Sequence, residues 1–187
     1  MIDEQPWIEA AQRGDVQAFN NLVELHQTAA FNVAVRTLRN ADDAADATQE
    51  AFLSAFRMIR TLRGTSFRAW LFRIVVNACY DARRHSSRRP TSSIETIAEE
   101  LGELPLADER ALDPERAILS NETRAAIERA LAALPEEQRL AIVLVDVQGL
   151  SYDEAAEALA CPIGTVRSRL ARGRARLRDE LIAAGTF

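Results

Sequence analysis

Cysteine is scarce in this chain of 187 residues. Cys79 and Cys161 stand far apart with no CxxC pair, which excludes a disulfide framework and a thiolate zinc site. Both read as small apolar packing residues. Histidine is as rare. His26 falls on the apolar stripe of a helix, where a packed, hydrogen-bonded ring is a simpler reading than a metal ligand, and His85 sits in a basic tail. With no cluster of His, Cys and carboxylate and no glycine-rich phosphate loop, nothing points to an enzyme, a metal or a cofactor. Long apolar runs are also lacking: the most apolar, residues 141–147, is short and interrupted by Asp146. No membrane insertion is expected, and without a cleavable signal sequence the expectation is a soluble cytoplasmic protein. Lysine is absent altogether. All 23 basic residues are arginine, which genome base composition explains as well as any function does.

What is present is mostly helix former, with 48% hydrophobic residues, enough to bury real cores in one domain or two small ones. A net charge of -5 looks wrong for a nucleic-acid binder until it is mapped. Residues 60–89 carry eight arginines against one aspartate, and residues 167–178 six arginines with no acid. Residues 95–115 hold eight acids against Arg110 alone. Two basic zones flanking an acidic middle are a footprint of nucleic-acid contact, although solvated faces alone would give the same signs.

Apolar residues recur at helical spacing in three stretches of the first half. Phe19, Leu22, Val23, His26, Ala30 and Val33 mark one helix; Ala44, Ala45, Thr48, Phe52, Ala55, Ile59 and Leu62 mark the next. A third begins near Ser66, with Phe67, Trp70, Leu71, Ile74 and Ala78 turned inward, after a loop broken by Gly64. Periodicity then dissolves into Ser, Arg, Thr and Pro until Asp113-Pro114, a cap-plus-proline helix start. The expected architecture is all-α: a helical domain over residues 1–88, a flexible acidic linker over 89–113, and a second helical domain over 114–187.

The second domain ends in a helix-turn-helix pattern. Ser151 followed by Glu154 is a capping-box start for a first helix to about Ala160, and Pro162 opens a second. Beyond the turn, Ile163, Val166, Leu170, Gly173, Leu177 and Leu181 form one inward stripe. At about 100° per residue this puts Ser168, Ala171 and Arg172 opposite the stripe and Arg167 on its flank. Those four are candidates for base edges, since arginine can grip guanine through two parallel bonds and alanine permits close approach. Arg169, Arg174, Arg176 and Arg178 are candidates for phosphates. A basic, solvated amphipathic helix is the alternative.

Three stretches in order resemble one known family, the extracytoplasmic-function (ECF) sigma factors of bacterial RNA polymerase. They are DDAADATQEAFLSAF (residues 42–56), RGTSFRAWLFRIVVNACYDARR (63–84) and LPEEQRLAIVLVDVQGLSYDEAAEALACPIGTVRSRLARGRARL (134–177). The resemblance implies that the first domain, sigma region 2, binds core polymerase and opens the minus-10 element, and that the second, region 4, binds the minus-35 element. It implies polymerase contacts, with the β and β′ subunits as partners, at Asp42, Asp46, Gln49, Glu50 and Leu53; an acidic face with one apolar contact suits a basic helical partner. It implies minus-10 contacts at Arg63, Gly64, Thr65, Ser66 and Phe67 in a loop that holds a flipped base, and at Arg73, Asn77, Tyr80 and Arg84. Those last four share a helix face whose planar and cationic groups suit single-stranded DNA. It implies minus-35 contacts at Arg139, Thr165, Arg167, Ser168, Arg169, Ala171 and Arg172. Promoter DNA and an anti-sigma factor follow as partners, and the acidic linker would thread the polymerase. A dimeric helix-turn-helix regulator would account for the second domain but not for the two faces of the first.

Overall fold

The computed structural model describes residues 3–64, 66–86 and 114–185, and every regular element among them is helical. The acidic linker and Thr65 lie outside the described residues. The first domain comprises α1 (Gln5–Gln12), α2 (Val16–Leu38), α3 (Ala41–Met58), a 3-10 turn (Ile59–Thr61) and α4 (Phe67–Ser86). The second comprises α5 (Pro114–Ala133), α6 (Glu136–Ile142) running into a π-helical turn (Val143–Val147), α7 (Tyr152–Ala158) and α8 (Ile163–Ala183).

Local chemistry sets these boundaries. The Asp15 carboxylate accepts from the backbone N–H groups of Gln17 and Ala18 at 2.9 and 3.1 Å, covering donors that the first turn of α2 leaves unpaired. Asn40 does the same for α3 by accepting from the Asp43 N–H at 2.8 Å, and Asp42 and Asp43 place negative charge at its positive end. Between them Arg39 closes α2 in the left-handed conformation at φ 58°. The inward face of α3 is built from Ala44, Ala47, Ala51 and Ala55, so α2 and α4 both approach it closely. Leu22, Val33, Leu71, Phe72 and Val75 fill the space around it. His26 is buried in this core, its Nε2 2.6 Å from a Glu4 carboxylate oxygen and its ring beside Phe67, so it is the satisfied packed histidine its spacing predicts.

α1 is an element that periodicity did not reveal. At eight residues it is too short to show a stripe, yet Gln12 donates to the Ile59 and Leu62 carbonyls at 3.2 and 3.1 Å and so ties it to the 3-10 turn. In the second domain α6 widens over its last turn, with the Gln148 N–H reaching the Val143 carbonyl at 2.9 Å, before Gly149 ends it at φ 70°. Pro162 precedes rather than opens α8: it caps the helix in extended geometry, one position earlier than its sequence suggests. The α8 stripe packs inward through Val166, Leu170 and Leu181. Gly173 lies so close to α6 that a β-carbon there would sit 2.9 Å from Ile142 Cδ1 and 3.3 Å from the Gln138 carbonyl oxygen.

The two domains are packed on one another. α4 lies against α7 and α2 against α6, and their apolar residues join in one continuous core.

Candidate nucleic-acid and polymerase interfaces

The helix-turn-helix is capped as its sequence predicts. Ser151 Oγ accepts from the Glu154 N–H at 3.2 Å, and Glu154 Oε2 accepts from the Ser151 N–H at 2.9 Å. Burial pushes the Glu154 carboxyl up, but the two Ser151 bonds, a bond from the Ser66 hydroxyl and the charge of Arg68 outweigh it and hold it below its ordinary value. The turn to α8 passes through Ala160 at φ 48°. On α8, Arg167, Ser168, Ala171 and Arg172 are all exposed on the side opposite the buried stripe. Arg172 is braced rather than loose, its Nε donating to the Ser168 carbonyl at 3.2 Å while Ser168 Oγ donates to the Thr165 carbonyl at 3.0 Å. Thr165 itself is half-buried.

Three of the other α8 arginines are already engaged within the chain. Arg169 is half-buried, with Nη2 2.9 Å from Glu137 Oε1 and Nη1 3.6 Å from Cys161 Sγ. Arg174 grips Asp146 through two bonds at 2.9 and 2.5 Å, which pushes its pKa still higher. Arg178 pairs with Asp179 at 3.2 Å. Arg139 sits apart from this face. It is 6% exposed and turned toward the end of α5, where Nη1 donates to the Ala132 and Leu134 carbonyls at 3.3 and 3.0 Å.

In the first domain Arg73, Asn77, Tyr80 and Arg84 stand exposed in a row along α4. The preceding loop has mixed character. Arg63 is exposed, with Nη1 donating to the Arg60 carbonyl at 3.0 Å, and Gly64 takes φ 60°. Ser66 is exposed and caps α4, its Oγ accepting from the Ala69 N–H at 3.4 Å. Phe67, proposed from the resemblance as a loop contact, is 1% exposed and wedged between His26 and Trp70. Its ring anchors the loop to the core and is not presented to a base in this arrangement.

On α3, Asp42, Asp46, Gln49, Glu50 and Leu53 all project outward, with Leu53 45% exposed. Sequence reasoning missed what lies beside them: an apolar groove of about 730 Å3 between α2 and α3, reached from Gln49 and Leu53 and walled by Phe19, Phe31, Phe52 and Phe56. Exposed Val16 and Phe56 at its rim were the signal, as apolar residues set off the buried stripe.

Contacts across the domains join the loop before α4 to the segment that introduces the helix-turn-helix. Ser66 and Arg68 help to lower the Glu154 pKa, and Arg68 Nη2 donates to the Gln148 carbonyl and lies 3.2 Å from its side-chain oxygen. Arg83 pairs with Glu136. Burial pushes the Tyr80 phenol up, with Arg169 opposing and Glu137 adding to it, so the second domain sits beside the α4 row. Deeper in the interface Arg36 pairs with Glu128, both side chains almost wholly buried.

Residues 22–89 match the family profile of sigma-70 region 2, and residues 124–177 that of sigma-70, region 4. The chain is 39% identical over 176 residues to the RNA polymerase sigma-H factor of Pseudomonas aeruginosa, covering 91% of this chain and 90% of that protein. It is 38% identical over 182 residues to the ECF RNA polymerase sigma-E factor of Escherichia coli K12, covering 96% and 95%. Among solved structures it resembles CnrH in complex with the cytosolic domain of CnrY, with a TM-score of 0.69, 27% identity and coverage of 97% and 99%. It also resembles the sigma factor RpoE in complex with the anti-sigma factor NepR from Bartonella quintana, with a TM-score of 0.67, 27% identity and coverage of 89% and 98%.

Proposed function

The chain belongs to the ECF sigma factors of bacterial RNA polymerase, and from that membership we propose how its surfaces divide the work of initiation. It binds core polymerase, directs it to a restricted set of promoters and helps to open the DNA there. It performs no covalent chemistry, and its place of action is the cytoplasm, with the polymerase. No described helix is long and apolar enough to cross a membrane.

Asp42, Asp46, Gln49, Glu50 and Leu53 meet the polymerase, with the neighbouring apolar groove extending that surface. Arg73, Asn77, Tyr80 and Arg84 receive the melted minus-10 strand, and the loop at Arg63, Gly64, Thr65 and Ser66 receives its extruded base. Arg167, Ser168, Ala171 and Arg172 read the minus-35 duplex, where bidentate arginine contacts discriminate and the remaining arginines position the helix on phosphates. The observation that carries this division is the simultaneous exposure of the α4 row and the outer α8 face, each on the side opposite its buried stripe.

The packed arrangement is a resting state. Promoter engagement parts the domains, uncovers the loop from Gln148 and Glu154, and frees Arg139 for the minus-35 backbone. An anti-sigma factor is the inhibitory partner, since two structurally similar sigma factors were solved with such proteins or a partner's cytosolic domain. The test is transcription in vitro with core polymerase, with and without this protein, on sheared genomic DNA with 5′ ends mapped. New start sites sharing two spaced, dissimilar motifs are the expected result. Sequence-specific duplex binding by the protein alone, with no polymerase-dependent initiation, would replace this reading with a dimeric regulator.

A further inference from the structure

A second cavity, about 530 Å3, opens at the seam of the two domains between the end of α2, the end of α4 and the α5–α6 junction. Its charged lining is Arg39, Arg83, Arg139 and Arg176 against Asp43 and Glu136, four guanidinium groups to two carboxylates. With Glu136 taken by Arg83, three guanidinium groups face Asp43 alone, the same excess of two positive charges. Among the described residues no ion pair engages Arg39, Arg139 or Arg176.

Arg83 and Arg176 reach solvent, whereas Arg39 is half-buried and Arg139 buried, and a buried cation without a carboxylate is costly. Arg139 records that cost. Burial first, then the charges of Arg39 and Arg83, bring its pKa down to about 10. Its two carbonyl bonds use one nitrogen, and its Nε is buried without an acceptor, as is the Nε of Arg39. A surplus of guanidinium around an open volume has one common remedy, which is an oxyanion seated in the cavity.

We propose that this interdomain cavity binds a small phosphorylated anion carrying two or more phosphoryl groups, bridging Arg39 and Arg83 of the first domain to Arg139 and Arg176 of the second. Guanidinium forks match phosphate oxygens bidentately, and several forks around one cavity suit a chain of phosphoryl groups better than a single carboxylate. The volume falls within the range of small-molecule sites, roughly 300–1,000 Å3, and exceeds what one inorganic phosphate would fill. Because its ligands come from both domains, the anion binds only while they are packed together and therefore holds them so. Arg139 and Arg176 are shared with the proposed minus-35 contacts, so the anion site is tested on the free chain without DNA or polymerase, where it can fail separately from promoter reading.

The experiment is calorimetric titration of the full chain at fixed ionic strength with inorganic pyrophosphate, inorganic triphosphate and a nucleoside triphosphate. One-site saturation is expected, weakened at least tenfold in Arg39→Gln and in Arg176→Gln and unchanged in the exposed control Arg13→Gln. These variants carry the test because Arg139 also holds two backbone carbonyls and its loss would disturb the fold. Tighter binding of the nucleoside triphosphate than of inorganic triphosphate assigns the site to a nucleotide; equal binding assigns it to free polyphosphate. No saturable heat up to millimolar pyrophosphate, or equal affinity in all variants, overturns the proposal, the latter by placing the anion elsewhere on the arginine-rich surface.

Discussion

Arg36 of α2 and Glu128 of α5 form an ion pair buried between the two domains, with side chains 3% and 6% exposed. In sequence they are 92 positions apart. Removing one partner strands the other charge in the interface. Glu128→Ala should therefore cost about 3–5 kcal/mol of interdomain stability, whereas joint replacement by Met and Leu should cost little or nothing. Urea denaturation followed together with small-angle scattering checks this: an expanded particle and a lower midpoint are expected for the single variant alone, and an unchanged midpoint would refute it.

Arg172→Ala should weaken minus-35 use by about 1–3 kcal/mol while core binding is untouched, because Arg172 is exposed on α8, braced on Ser168, and is no part of the α3 face. A polymerase pull-down and a promoter assay run side by side decide the matter. Equal loss in both would count against the assignment.

Asp46→Arg reverses charge on the outward face of α3 without touching its alanine-lined inner side. Co-elution with polymerase should fall about tenfold or more, with the thermal midpoint preserved. Unchanged co-elution would remove α3 from the polymerase surface.

Gly173→Ala adds a methyl group where Ile142 and the Gln138 backbone already stand within contact distance. Although alanine favours helix, overpacking should win and destabilise the second domain by about 1–3 kcal/mol. A thermal midpoint equal to or above the parent's would show that α8 can move away at no cost.

The capping box carries a pH dependence of definite sign. The folded-state pKa of Glu154 lies below its ordinary value of 4.5, so its contribution is present in full above that pH and is lost as acid carries it through the lower, folded value. Glu154→Ala should thus be less stable than the parent at neutral pH, and the difference should narrow at acid pH. A gap that widens on acidification would contradict this linkage.

Much of this was legible before any coordinates. The helices from Pro114 to Ala133 and from Tyr152 onward, the Ser151 box and the outward set on α8 were readable because each depends on neighbours three or four positions away. The alternation of buried and exposed positions on α3 and α4 was readable for the same reason, except at Ala45, which reads as part of the inward stripe of α3 and is exposed beside the apolar groove. Periodicity states which side of a helix turns inward but not which helix it meets. Arg36 therefore gave no sign that its partner was Glu128, nor Arg139 that it would be enclosed. Phe67 reads in sequence both as core and as loop, and packing around His26 decided for core.

Ser66 and Arg68 lean on Glu154 and Gln148, the short segment that introduces the helix-turn-helix. Parting that one contact would uncover the loop at Ser66 and the entry to the helix-turn-helix in a single step. In signalling terms the chain is one switch rather than two valves in series: whatever parts the domains should bring both readers into play at the same inducer dose, with a single midpoint.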